Sequence, residues 1–97
     1  MNKGINISYR LCYFMDFKII ILKKLFRHRY IGGKHTAVEN LTKSLPKHAV
    51  GEAKKAVDWL IKSGFVLKKP ASYGLQVSLN PERIEEIIKL IEESLRN

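Results

Sequence analysis

Little in this chain can be crosslinked, chelated or inserted into a membrane. Cys12 is its single cysteine. One thiol cannot close an intramolecular disulfide or build a multi-cysteine zinc site, so a disulfide scaffold and a multi-cysteine zinc module are both excluded, and a reducing cytoplasm is the expected compartment. Long apolar runs are missing too: Ile19-Ile20-Ile21-Leu22 meets Lys23-Lys24 at once, which is too short for a membrane span. The N-terminus has neither the apolar core nor the cleavage pattern of a signal peptide.

Acidic residues are scarce in most of the chain. Residues 1–80 hold fifteen of the eighteen Lys and Arg but only Asp16, Glu39, Glu52 and Asp58, so 15 − 4 gives +11. From Pro81 to Asn97 the balance reverses, with Arg83, Lys89 and Arg96 against Glu82, Glu85, Glu86, Glu92 and Glu93, or 3 − 5 = −2. A basic body with a pI near 9.9 points to a polyanion, nucleic acid or an anionic membrane surface. The acidic tail is expected to face solvent or a second protein.

Catalytic signatures are absent as well. No His-Glu-x-x-His or Gly-x-Ser-x-Gly occurs, and Glu85-Glu86 and Glu92-Glu93 fall on the outside of an amphipathic segment, so no enzyme is expected. Gly33-Lys34 invites comparison with a nucleotide-binding P-loop. That motif needs a glycine where His28 stands and a Ser or Thr where His35 stands. His28, His35 and His48, separated by seven and thirteen residues, match no compact ligand spacing, so neither a metal nor any other cofactor is expected.

What is present fits one small domain of 97 residues, and a 45% hydrophobic content argues against disorder. Met1 to Phe14 (residues 1–14) follows no regular period and reads as an N-terminal arm before a folded unit at 15–97, with Asp16 as a helix cap. Phe17 to Tyr30 places Phe17, Ile21, Leu22 and Leu25 on one arc, widened by Ile19 and Phe26, which predicts a first helix; the isoleucine run also suits a strand. Ile31 to His35 should break it. Thr36 and Glu39 then have the spacing of a capping box, predicting a short helix over 37–44 that ends before Pro46.

Ala49 to Ser63 is the clearest helix, with Ala53, Ala56, Val57, Leu60 and Ile61 on one face and Gly64 as its stop. Phe65 to Lys69 and Leu75 to Leu79 read as a hairpin around the turn Pro70 to Gly74. Asn80-Pro81 opens a last amphipathic helix whose stripe is Ile84, Ile87, Ile88, Ile91 and Leu95. The expected class is mainly α with a small β-hairpin.

The helix 37–44, the turn LPKHAVG, the helix end WLIKSGFV and the hairpin KKPASYGLQVSL together resemble the winged helix-turn-helix superfamily, in particular its small stand-alone archaeal-like members. The resemblance spans Phe17 to Leu79, with the C-terminal helix an addition. It implies a transcription-regulator-like or chromosome-associated factor that inserts its third helix into the major groove of double-stranded DNA while the wing tracks backbone or minor groove. Other members of the superfamily bind RNA or proteins, and both alternatives stay open.

The residues themselves suggest where an anion would sit. Lys34 and His35, with backbone N–H groups at Thr36, suit a phosphate. On the third helix Lys47, His48, Gly51, Lys54, Lys55 and Lys62 lie opposite or beside the apolar stripe, and Lys68, Lys69 and Tyr73 mark the wing. Lysine in place of arginine favours phosphate contact over bidentate guanine readout, so modest sequence preference is expected. Trp59 lies off the core stripe and, with the isoleucine stripe of the last helix, is an interface candidate. That stripe either packs back onto its own domain or pairs with a two-fold mate in a homodimer.

Overall fold

The computed structural model describes residues 17–72 and 74–96. The arm at 1–14, Cys12, the Asp16 cap and the wing residue Tyr73 lie outside the described residues. The chain is mainly helical with a small three-stranded antiparallel sheet. Helix α1 covers residues 17–27, and is followed by strand β1 (Thr36–Ala37), α2 (Val38–Thr42), α3 (Lys47–Lys62), β2 (Val66–Ala71), β3 (Gly74–Leu79), a 3₁₀ turn (Pro81–Arg83) and α4 (Ile84–Arg96).

The isoleucine run is helical. Phe17, Ile21, Leu22 and Leu25 are buried, and Ile19 and Phe26 pack at the edge of the same core. The helix stops three residues sooner than its apolar period suggests, and the Gly-Gly pair is not what stops it. Tyr30 N donates to Leu25 O at 2.9 Å and Arg29 N to Phe26 O at 3.1 Å, which closes a Schellman motif with Arg29 at φ 60 in the left-handed position. The end of α3 is built the same way, from Phe65 N to Leu60 O at 3.0 Å and Gly64 N to Ile61 O at 3.1 Å. There the left-handed residue is Gly64, as its place in the sequence predicts.

The capping box is not formed. Thr36 and Ala37 are extended and pair with Val77 and Gln76, so β1 occupies the stretch where the helix was expected to begin. Ala37 becomes the N-cap of α2 and offers no side-chain bond. Thr36 is instead buried, and its hydroxyl accepts from Asn40 Nδ2 at 3.0 Å. The reason is tertiary: β3 has a free edge, and satisfying its backbone groups outweighs one side-chain cap. With its first residues taken by the strand, α2 shrinks to five residues.

The hairpin is longer and its turn tighter than expected, since β2 and β3 pair all the way to Ala71 opposite Gly74. Pro70 is therefore a strand residue, paired with Leu75. It is tolerated because the strand order is β1-β3-β2, which leaves β2 at an edge where its missing N–H costs no ladder bond. The Ile31–Gly32 loop is pinned to the base of β3: Leu79 N donates to Tyr30 O at 2.8 Å, Gly32 N to Leu79 O at 3.0 Å, and Ser78 Oγ to Gly32 O at 2.9 Å.

One core joins these elements, centred on Leu25, Ala53, Ala56, Leu60, Val77 and Leu79, all fully or almost fully buried. Asn80 caps the last helix as expected, its Oδ1 accepting from Glu82 N at 3.0 Å with Pro81 in the first turn. Ile87 is fully buried, and Ile84, Leu90 and Ile91 pack against the same core.

Candidate nucleic-acid interface

Helix α3 sits on its apolar face and turns the opposite one outward. Lys47, His48, Gly51, Lys54, Lys55 and Lys62 are all exposed, as the helical period predicts. Two of those lysines are paired along the helix, Lys55 with Glu52 at 3.7 Å and Lys62 with Asp58 at 3.0 Å. Exposed pairs of this kind are worth about 0–1 kcal/mol, so a phosphate can displace either carboxylate at little cost. Around Gly51 a β-carbon would meet nothing within 4 Å. No packing requirement accounts for a glycine inside this helix.

The Gly-Gly loop, β1 and the wing converge at the base of the sheet. Gly32, Gly33, His35, Leu67, Lys69 and Ser78, with Lys68 alongside, line a shallow groove of about 230 Å³. Lys34, Lys68 and Lys69 are exposed. His35 is half-buried and hydrogen-bonded through Nδ1 to Gln76 Oε1, so its Nε2 donates to an anion only when the ring is protonated. Thr36, a candidate contact in the sequence, is buried in β1 at 5% exposure, on the side away from the wing groove, with its hydroxyl held by Asn40. Gly32, at φ 63, is the member of the glycine pair whose conformation needs glycine.

Trp59 is 42% exposed, but its ring is not bare. Lys18 Nζ lies 3.5 Å from its centroid, Phe65 stacks beside it at 6.4 Å and 21°, and Arg83 Cζ sits 4.4 Å from the Phe65 centroid. Burial pushes the Lys18 ammonium below its usual lysine range. Arg83 also donates from Nη1 to Ser63 O at 3.1 Å and bridges to Glu86, whose carboxyl that hydrogen bond holds below the usual carboxylate range. The tryptophan is thus covered by α1 and by the residues joining α3 to α4. Of the C-terminal stripe, Ile84, Ile87 and Ile91 pack inward, Ile88 is half-buried, and Leu95 is 68% exposed. Leu95 keeps the most apolar surface of the stripe for a second subunit, and Ile88 is half-buried without packing on the core.

A second basic region was not singled out from sequence. The C-terminal half of α1 and the end of α2 flank a groove of about 370 Å³ lined by Lys24, His28, Tyr30, Asn40, Lys43 and Ser44, with Thr36 and Leu41 at its floor. Lys24 and His28 were visible as the polar side of the first helix. Their meeting with Lys43 and Ser44 depends on how α2 packs, which no local pattern encodes.

Among the described residues no three His, Cys, Asp or Glu side chains gather in a way that could hold a metal ion. No helix there is long and apolar enough to cross a membrane. No protein-family model, curated protein or solved structure matches the chain.

Proposed function

We propose that this chain is a winged-helix DNA-binding protein, a transcription-regulator-like or chromosome-associated factor acting without cofactor or catalysis. In this reading α2 and α3 are the helix-turn-helix, β2 and β3 the wing, and α3 enters the major groove with its outer face. The observation that carries the reading is that face itself. It is exposed along its whole length, carries four lysines and an unpacked glycine, and runs directly into a hairpin with Lys68 and Lys69 free at its surface. Affinity comes mainly from lysines neutralising phosphates with release of counterions, and Gly51 lets the helix backbone approach the duplex closely.

Fluorescence anisotropy on random duplex DNA and on structured RNA, repeated over a range of salt concentrations, tests it. If about six phosphates are neutralised, the log–log salt slope on DNA is roughly −5. Tighter binding to structured RNA would transfer the reading to an RNA-binding winged helix. Weak binding to both would leave a protein-interaction module, with Trp59, Ile88 and Leu95 as its exposed apolar surface.

A further inference from the structure

The cations of this domain are not concentrated on the helix that the wing points to. Residues 17–35 hold six Lys and Arg and no acid, for a balance of +6, whereas α3 has four lysines against Glu52 and Asp58, or 4 − 2 = +2. Lys23, Lys24, Arg27, Arg29 and Lys43 take part in no ion pair among the described residues, while two of the four α3 lysines do. Without Lys18, which covers Trp59, and Lys34, which lies by the wing, the α1 side keeps Lys23, Lys24, Arg27 and Arg29, a balance of +4 that equals the 4 − 2 + 2 = +4 of α3 with Lys68 and Lys69.

That side also has shape. Lys24 Nζ donates to Ser44 Oγ at 2.8 Å and reaches Leu41 O at 3.4 Å, which fixes one ammonium at the end of α2 with donor capacity to spare. Beside it the groove is lined by His28, Tyr30, Asn40 and the exposed Lys43, with no carboxylate among the lining residues. Donors without acceptor-only groups are what a phosphate oxygen selects. Glu39 and Val38 line a different depression, the one α2 makes with Lys54, Asp58 and Leu75. The α1 groove and the α3 side therefore lie on different faces of α2.

We infer that the groove between α1 and the end of α2 is a second phosphate-binding site, which takes the backbone of a DNA duplex other than the one held by α3 and the wing. The groove's own affinity stands independently of the α3 and wing reading; the bridging of two duplexes rests on it. A domain with two such surfaces joins neighbouring duplexes as a monomer, with no dimer interface required.

The test uses the full chain with duplexes of about one helical turn, roughly 34 Å, too short to wrap both surfaces. Sedimentation at duplex excess and low salt gives the number of duplexes per protein. The probe variant is His28→Gln with Lys43→Gln, since both residues line the groove and are exposed; Lys43→Glu alone is a second variant, and circular dichroism checks that each is folded. The comparison variant is Lys68→Gln with Lys69→Gln. Two duplexes on the wild type, falling to one in either variant, is the expected result. One duplex on the wild type, with affinity and salt slope unchanged in the groove variants, overturns the inference. One duplex with both sets of variants weakened makes the groove a flank of a single footprint and overturns it as well. One duplex lost only in the groove variants keeps the groove as the binding site and discards the α3 and wing reading instead.

Discussion

Gly51→Ala separates what the fold needs from what the ligand needs. Gly51 is the fifth residue of the 16-residue helix α3, is exposed, and has no positive φ. An added β-carbon meets nothing within 4 Å. Alanine in a helix interior is better than glycine by about 0.8–1 kcal/mol, because the unfolded chain loses less backbone freedom on folding. For a domain of this size that raises Tm by roughly 4–8 °C, readable by thermal denaturation followed through the fluorescence of the single tryptophan, Trp59. If α3 lies against a duplex at this point, the same methyl group holds the backbone off, and affinity falls roughly tenfold, equivalent to about 1.4 kcal/mol. A variant that is more stable and binds as before removes Gly51 from the interface. A destabilised variant refutes the exposed placement of this helix face.

Arg29→Gly relieves a non-glycine residue held at φ 60 and raises stability by about 0.5 kcal/mol in urea titration, after the loss of a cation near a helix C-terminus is subtracted. Gly64→Ala goes the other way by about 2 kcal/mol, since its φ of 85 disfavours a side chain and its β-carbon would stand 2.8 Å from Arg83 Nη1, the group that holds Ser63 O. Glu86→Gln flattens the acid limb of the stability curve. The Arg83 hydrogen bond depresses the Glu86 carboxyl in the folded state, so its stabilisation is present above the ordinary carboxylate range and is lost as pH falls through the lowered value. Lys68→Gln with Lys69→Gln makes the salt slope on DNA shallower by roughly 2 if both lysines neutralise phosphates.

Strongly periodic elements were legible in the sequence. Helix α3 ends at the glycine that its pattern names, Asn80-Pro81 starts the last helix, and the core residues of α1 and α3 are those on their apolar arcs. What failed was local chemistry that tertiary pairing overrides. Thr36 and Glu39 have the right spacing for a cap, but Val77 and Gln76 of β3 present an edge to Thr36 and Ala37, and the strand pairing wins. Pro70 reads as a turn residue anywhere except at an outer strand, and strand order is not a local property. At the last helix the stripe through Ile88 and Leu95 turns out rotated toward Leu90, because α4 leans on a core whose direction its own sequence does not carry. Among the candidate contacts, exposure on α3 followed from period alone, whereas the groove of Lys24, Asn40 and Lys43 needed the packing of two helices.

The acidic outer face of α4 gives these basic surfaces a direction. Residues 17–80 carry 13 Lys and Arg against Glu39, Glu52 and Asp58, a balance of +10, so the −2 of the terminal segment is too small to slow approach to a polyanion. Its influence is felt only near contact. At physiological salt charges are screened beyond about 8 Å, and within that distance the exposed Glu85, Glu86, Glu92 and Glu93 repel phosphates while α3 and the α1 groove attract them. Because Ile84, Ile87 and Ile91 fix α4 to the core, this repulsion has a constant position relative to both attractive surfaces. If the proposed DNA binding holds, long-range attraction comes from the total charge, and the choice of docking face from the helix that contributes least to it. Neutralising the four glutamates would therefore raise the balance over residues 17–97 from 10 − 2 = +8 to +12 and quicken encounter, while adding a third, unproductive orientation on the duplex.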